Sequence, residues 1–350
     1  MTTVKPPTSM RAAVYRGKGA MDVEERPVPE IGPHDVLLEV SHCGICGSDL
    51  HFVVEGWGQP GSVEGHEWSG RVVAVGDAVT QWSVGDKAVG GPTPKCGKCE
   101  QCLAGRPSLC AARNSPGGSG HNDGAFAEYV VASEAGIKRV PEGMSLRVAA
   151  LAEPLAVALH GLTRGGVQAG QRVLVTGAGP IGTLSVAAAR ARGVTDIVVS
   201  EPHPKRRALA ERLGATVVVP DELATPPSPG DVVAEPFDVA LECSGHAGAM
   251  ESALGQLKRG GTLVLVGAGM HRPRFDNNRI LLNELLITGA FIYDADGFDR
   301  ALELLANRSF PSDTLIEADD VPLDNILGAI AGLHDGELAA KVMIVPRRDK

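Results

Sequence analysis

Two rhythms of apolar and polar residues divide the chain. From residue 10 to about 155, apolar positions come in short β-branched runs: DVLLEVSHCG (35–44), GRVVAVGD (70–77) and DKAVGG (86–91). Gly- and Pro-rich turns separate them. Such runs predict strands. From about 156 to 290 the rhythm changes. Strand-like RVLVTGAG (172–179), DIVVSE (196–201), ATVVVP (215–220), FDVALECSG (237–245) and GTLVLVGAG (261–269) alternate with Ala- and Arg-rich helical stretches. The clearest of these are SVAAARARG (185–193), KRRALAERLG (205–214) and GAMESALGQLKRG (248–260). Strands alternating with helices predict βαβ units and a parallel sheet. LLITGA (285–290) would end that sheet at an exposed edge, which needs covering. Beyond 290, two more helical stretches, DGFDRALELLANR (296–308) and NILGAIAGLHDG (325–336), lie among strand-like TLIEADD (314–320) and KVMIVP (341–346). The β-rich texture has returned, so this end is expected to pack on the first region. TPPSPGD (225–231) reads as a turn-rich loop, and polar residues 1–9, with their Pro-Pro pair, as a loose tail.

Composition narrows the class. The chain has 350 residues, enough for about two domains, with 43% hydrophobic and 21% charged residues. A net charge of −9 with no basic run argues against a nucleic-acid partner. There is no signal-peptide core near the start and no run of apolar residues long enough to span a bilayer. Seven cysteines, an odd number mostly accounted for as thiolates, fit a reducing cytoplasm.

Four of those cysteines crowd one loop. Cys96, Cys99, Cys102 and Cys110 lie in KCGKCEQCLAGRPSLC. Four thiolates saturate a tetrahedral Zn²⁺, so this pattern predicts a closed, structural site. An iron–sulfur cluster is the main rival, but ferredoxin spacing places the fourth Cys three residues on and before Pro. Here it comes eight positions on, followed by Ala111. Upstream, Cys46 in CGICGSDLH and His66 in GHE form the beginnings of a mixed site, and a catalytic zinc needs such a set with one position open. Cys43 makes a C-x-x-C with Cys46, yet the βαβ context of a redox pair is missing, so Cys43 reads as a small buried residue. Cys243 reads as core and His160 as structural.

VLVTGAGPIG sets Gly177, Gly179 and Gly182 in G-x-G-x-x-G, after an apolar strand and before a helix that opens on Pro180 and Ile181. Such glycines let the backbone approach a pyrophosphate, and the helix N-terminus offers free N–H groups. Glu201 closes the next strand, nineteen residues after Gly182, where a carboxylate accepts from the ribose hydroxyls and repels a 2′-phosphate. NAD(H) is therefore expected over NADP(H), although Lys205 and Arg206 keep NADP open. Arg206, Val266 and Ile292 complete the expected cofactor-binding set. The alternative is an ordinary βα turn with Glu201 facing solvent.

These residues, with GAFAEY (124–129) and LAEPLAVALH (151–160), resemble the zinc-dependent medium-chain dehydrogenases of the alcohol dehydrogenase superfamily, nearest the butanediol, threonine and polyol branch. The resemblance covers nearly the whole chain in the family's order. It implies an α/β protein: a GroES-like β-barrel catalytic domain (1–155 plus 291–350, with a zinc lobe at about 92–112) and a doubly wound Rossmann domain (156–290). It implies zinc ligation by Cys46, His66 and Glu153, with Glu67 binding only in some states. A second zinc would sit on the four cysteines. Asp49 would hold the distal nitrogen of His66, and Ser48 and His51 would carry the alcohol proton outward as hydride passes to the nicotinamide. A surface histidine remains the plain alternative for His51. Sorbitol-type enzymes carry a Tyr after that His and an Arg beside the later Tyr; here Phe52 and Ile292, next to Tyr293, take those places. Each hydroxyl left unpaired costs about 1–3 kcal/mol, which favours a small secondary alcohol or vicinal diol over a long polyol. Trp57, Phe52, Met270 and Ile292 are candidate pocket walls. A polyol or L-threonine 3-dehydrogenase, a zinc-free enone or quinone reductase and a non-catalytic NAD-binding protein remain as alternatives. In relatives the strand matching LLITGA pairs across a twofold axis, which implies a homodimer or homotetramer.

Overall fold

The structure is a computed structural model that describes residues 7–92, 96–112 and 124–347. The expected tail at 1–9 and parts of the cysteine lobe's flanks therefore lie partly outside the described residues.

The parallel sheet has six strands, Arg172–Thr176, Asp196–Ser200, Thr216–Val218, Phe237–Glu242, Leu257–Leu265 and Leu286–Gly289. Numbered along the chain, their spatial order is three, two, one, four, five, six. The order reverses beside the first strand, and such a reversal opens a crevice at the strands' carboxyl ends. The residues Gly177–Gly179 stand at that crevice, at the N-terminus of helix Pro180–Ala191. Leu286–Gly289 is the outer strand, with Leu286 62% exposed. The helix read over 248–260 is shorter than its pattern: it spans Ala247–Gly255, and LKRG instead opens the strand Leu257–Leu265. Gly255 ends the helix, and pairing with Phe237 and Val239 draws the residues beyond it into the sheet.

The other main sheet is built on the strand Asp35–Gly44. It pairs antiparallel with Glu67–Val75, with Tyr129–Ser133 and, at its end, with Met343–Val345. A hairpin, Ser9–Gly17 with Ala20–Pro27, packs into the same core. TLIEADD does not form the expected strand: Ser312–Leu315 is a 3₁₀ turn and Ile316 makes a single bridge to Lys341. The tail strand nonetheless returns to the first region, as its texture predicted.

Helix Ala152–Arg164 joins the two sheets. It buries most of its length and shares one hydrophobic cluster with Val89, with Val173 of the parallel sheet and with Met343 of the tail. Leu155 is fully buried there, and truncation to Ala would destabilise by about 2–5 kcal/mol. The stretch Leu146–Arg164 is long and apolar enough to cross a membrane by composition, but 72% of its most apolar window is buried against the rest of the chain.

Candidate metal centre and dinucleotide crevice

Sheet register assembles the open site. Gly44 pairs with Glu67 and Cys43 with Trp68, so the chain leaving one strand and the chain entering the next run side by side. Cys46 and His66 lie on those two segments. With Glu67 they offer three ligand atoms, all within 4.8 Å of one another. Cys46 caps the short helix Gly47–Leu50, and its N–H donates to Asp49 Oδ2 at 2.8 Å. The other oxygen, Oδ1, is buried without a hydrogen-bond partner among the described residues, and Asp49 meets His66 as a neighbouring charge. Burial lifts the Asp49 carboxyl to about 6. Burial opposes charge on His66 too, but Cys46, Asp49 and Glu153 outweigh it and hold His66 well above its ordinary value.

Glu153 comes from the first turn of the central helix and is 3% exposed. It stands outside the tight three-residue group, but within electrostatic reach of His66 and Glu67, and burial pushes its carboxyl up to about 8. Gly91 makes room for it: a Cβ at Gly91 would lie 2.6 Å from Glu153 Cγ and 2.7 Å from the Tyr293 hydroxyl. Four acids or thiols around one imidazole repel each other without a cation, and a thiolate–imidazole–carboxylate set suits zinc.

One neighbour has no counterpart in the sequence reading. Lys341, 1% exposed, places Nζ 2.8 Å from Ile45 O and 2.8 and 2.7 Å from the two oxygens of Glu67. Glu67 thus has a cation of its own. The available signal was a lone charge opening the apolar run KVMIV.

The cysteine lobe is compact. The four sulfurs of Cys96, Cys99, Cys102 and Cys110 lie within 4.8 Å of one another and form no disulfide. Backbone N–H groups point at them, from Cys96 and Ala112 to Cys110 and from Cys99 to Cys96. N–H groups of Ala111 and Cys102 draw Cys99 down to about 6, while burial and the neighbouring thiols push Cys102 up to about 12. Such a quartet ionises fully only around a cation. Ser108 and Arg106 tie this lobe to Asp294. His160, buried in the central helix, also faces Asp294, in keeping with a structural role. Cys43 is wholly buried, and Cys243 packs at the edge of the core.

The glycine loop is shaped for close approach. Gly177 has φ +89, and a Cβ at Gly182 would lie 1.9 Å from Gly177 O. Above Gly179 nothing lies within 4 Å, which leaves the helix N-terminus open. Glu201 is 2% exposed rather than solvent-facing, and its oxygens accept from Ala178 N at 2.7 Å and His203 N at 2.8 Å. Arg206 donates through its guanidinium to Leu333 O, and Lys205 donates to Glu337 O at 3.0 Å. Both basic groups are drawn to the end of helix Ile326–His334, whose last carbonyls lack partners within the helix. Val266 follows the fifth strand, and Ile292 holds φ +47, an outlier for a β-branched residue, worth about 1–3 kcal/mol of strain. Trp57 and Met270 are 44% and 56% exposed, and Phe52 lies in the turn beside Trp57.

Two family models match this chain: the alcohol dehydrogenase GroES-like domain over residues 32–142 and zinc-binding dehydrogenase over 180–307. Sorbitol dehydrogenase of Bacillus subtilis is 34% identical over 98% of this chain and 99% of its own. The chain belongs to the zinc-binding dehydrogenases of the alcohol dehydrogenase superfamily. Within that family, an L-threonine 3-dehydrogenase of Chelativorans sp. is 33% identical over 96% of this chain and 99% of its own. Among solved structures, 2R,3R-butanediol dehydrogenase from Bacillus subtilis superposes with a TM-score of 0.83 at 30% identity, covering 97% of this chain and 100% of that one. A zinc-binding dehydrogenase from Sinorhizobium meliloti 1021, solved with NADP, gives 0.84 at 32% identity over the same shares. This zinc-binding dehydrogenase is accordingly an oxidoreductase of the alcohol dehydrogenase type, with GroES-like and Rossmann parts.

Proposed function

We propose that this enzyme oxidises a small secondary alcohol or vicinal diol, reversibly, with zinc and NAD. The observation that carries the reading is the convergence of Cys46, His66 and Glu67, with Glu153 buried and within electrostatic reach, in a chain that also carries an open glycine loop at a helix N-terminus. Cys46, His66 and Glu153 would hold the catalytic ion, with Glu67 shared between it and Lys341. The four cysteines would hold a second, structural zinc. Bound there, zinc supplies Lewis-acid polarisation of the substrate oxygen and the nicotinamide supplies the hydride acceptor. The chain's own residues do the rest. Gly177, Gly179, Pro180, Ile181 and Gly182 receive the pyrophosphate at a helix N-terminus. Glu201 orders the loop through Ala178 N and keeps a carboxylate at the ribose end, which favours NAD. Val266 and Ile292 back the nicotinamide. Ser48 Oγ, buried without a hydrogen-bond partner among the described residues, is free to take the hydroxyl proton and pass it towards His51.

Phe52 and Ile292 leave an apolar wall that suits a short substrate, and the likeness to butanediol dehydrogenase points the same way. The sorbitol and threonine dehydrogenase relatives favour a second reading, a polyol or L-threonine substrate. We also assign residues 1–155 and 291–350 to the catalytic unit and 156–290 to the cofactor unit. A dimer through the outer strand Leu286–Gly289 would cover Leu286, and light scattering from a monomer would exclude it. The composition fits a cytoplasmic enzyme. Metal analysis combined with an activity screen over small diols, simple alcohols, threonine and polyols, with NAD and with NADP, tests the whole reading. Two zinc ions per chain and the highest kcat/KM for a small diol or secondary alcohol are expected. One zinc, or NADP preference, refutes the corresponding part.

A further inference from the structure

His51 ends the short helix Gly47–Leu50 and begins a π-turn, His51–Glu55. Single π-turns are rare and concentrate at functional sites. This one closes on Gly56 with φ 88, and Trp57 N and Gly58 N bond back to His51 O and Phe52 O at 3.3 and 3.2 Å. The widened turn has two results. It brings Glu55 Oε2 to 3.0 Å from His51 Nδ1, and it lays the Trp57 ring on the imidazole, with centroids 4.9 Å apart and planes 16° apart. Nδ1 is buried, and among the described residues no hydrogen bond is aligned on it, so Glu55 is the group at hand. The other nitrogen, Nε2, lies 3.2 Å from Ala268 O, in the loop that follows the strand Leu257–Leu265 on the far side of the crevice.

Carbonyl and carboxylate oxygens only accept. A neutral imidazole donates once, so a ring whose proton faces Glu55 leaves Nε2 bare and able to accept when it turns from Ala268 O. Glu55 is the more open of the pair, with its side chain 36% exposed against 19% for His51. The arrangement is a ring clamped on one face by Trp57, facing the crevice through Nε2, and leading to solvent through a carboxylate.

We propose that Glu55 is the positioning residue of His51 and the outer acceptor of the proton that His51 carries. The proposal rests on the dehydrogenase reading above. In alcohol oxidation one hydride leaves the carbon and one proton leaves the hydroxyl. With the neutral ring's one proton on Nδ1, Nε2 turns from Ala268 O and takes the hydroxyl proton as Nδ1 gives its own to the Glu55 carboxylate, which releases it to water; exchange of the ring proton from Nε2 back to Nδ1 through water resets the relay. One proton enters the ring and one leaves, with no electron transferred. The chain therefore carries the exit of its relay on the same turn that holds the histidine.

The test uses zinc-loaded enzyme with its best alcohol and compares wild type, Glu55→Gln and Glu55→Ala. Removing a general acid–base group loses typically 10²–10⁴-fold; loss of its outer acceptor should lower kcat by about 10-fold, with KM little changed and a larger solvent isotope effect on kcat. Formate added to Glu55→Ala should restore turnover in a saturable way, which a brace for the turn would not allow. Unchanged kcat and isotope effect in Glu55→Gln, or a loss that formate does not restore, overturns the proposal. A second measurement does not depend on turnover. In ¹⁵N-histidine-labelled enzyme, the Nδ1 proton of His51, assigned by its loss in His51→Gln, should resonate downfield and move upfield in Glu55→Gln as charge assistance is lost. If it does not move, the contact is not formed in solution and the proposal fails. A wild type that oxidises no alcohol with either nucleotide defeats the functional reading instead, and the resonance still decides the contact.

Discussion

Replacing Lys341 by Met tests the electrostatics of the metal centre most directly. Met keeps most of the volume and removes the charge. In the native chain Nζ meets both oxygens of Glu67 and the carbonyl of Ile45, with both side chains essentially sealed from water. Two charges about 3 Å apart at an effective dielectric near 20 attract by about 5–6 kcal/mol. Most of that offsets desolvation, so the pair adds little over an apolar equivalent. Removing one partner is different, because the other charge stays buried: about 3–5 kcal/mol is lost. For 350 residues, at about 2.1 cal/mol/K of unfolding entropy each, that is roughly 4–7 °C in Tm. Adding Glu67→Gln to Lys341→Met removes the stranded charge and should recover most of the loss. Thermal unfolding of metal-replete wild type, both single variants and the double variant closes the cycle. A Lys341→Met variant as stable as wild type, or a double variant less stable than Lys341→Met alone, would refute the reasoning.

Ser48→Ala should reduce turnover by roughly 10²-fold or more while zinc content and NADH affinity hold, and kinetics like wild type at every pH would show that the proton leaves by another route. Glu201→Ala should weaken NADH in fluorescence titration and improve the relative use of NADP; a native preference for NADP would contradict it. His42 sits between Ser41 and Asp320, at 2.8 and 3.3 Å, and burial outweighs Asp320 to hold it below its ordinary value. The unfolded chain then binds its proton more readily, so wild-type stability, complete above about pH 6.5, falls as pH drops below that value. In His42→Gln the fall below that pH should be shallower; parallel Tm–pH curves for the two proteins would rule this out.

Much of this is legible in the chain because the determining residues are close together in sequence. Four cysteines between 96 and 110 define their own cluster, and G-x-G-x-x-G between a strand and a helix defines the crevice. The βαβ alternation and the edge position of 285–290 are likewise local patterns. Pattern misleads where context overrides it. The helical run through 248–260 breaks at Gly255 because the sheet claims the residues beyond it. The family pattern gives Asp49 to His66, but not that its other oxygen accepts from the N–H of Cys46. The contact of Arg206 with Leu333 O is likewise beyond local pattern, because the two lie 127 residues apart. Lys341 shows in the sequence only as a lone charge before an apolar run, because its partner lies 274 residues earlier, and Glu55 does not show because a widened turn, with no sequence signature of its own, brings it to His51.

The late origin of Lys341 bears on how the enzyme is made. Cys46, His66 and Glu67 leave the ribosome early, and their sheet can begin to pair at once. At about 5–20 residues per second, 274 residues take roughly 15–55 s to emerge. Throughout that interval the carboxylate of Glu67 lacks the ammonium group of Lys341, and the strand Asp35–Gly44 lacks its partner Met343–Val345. Translation order therefore leaves Glu67 without Lys341, and the strand Asp35–Gly44 without one of its partners, until residues 341–345 have emerged.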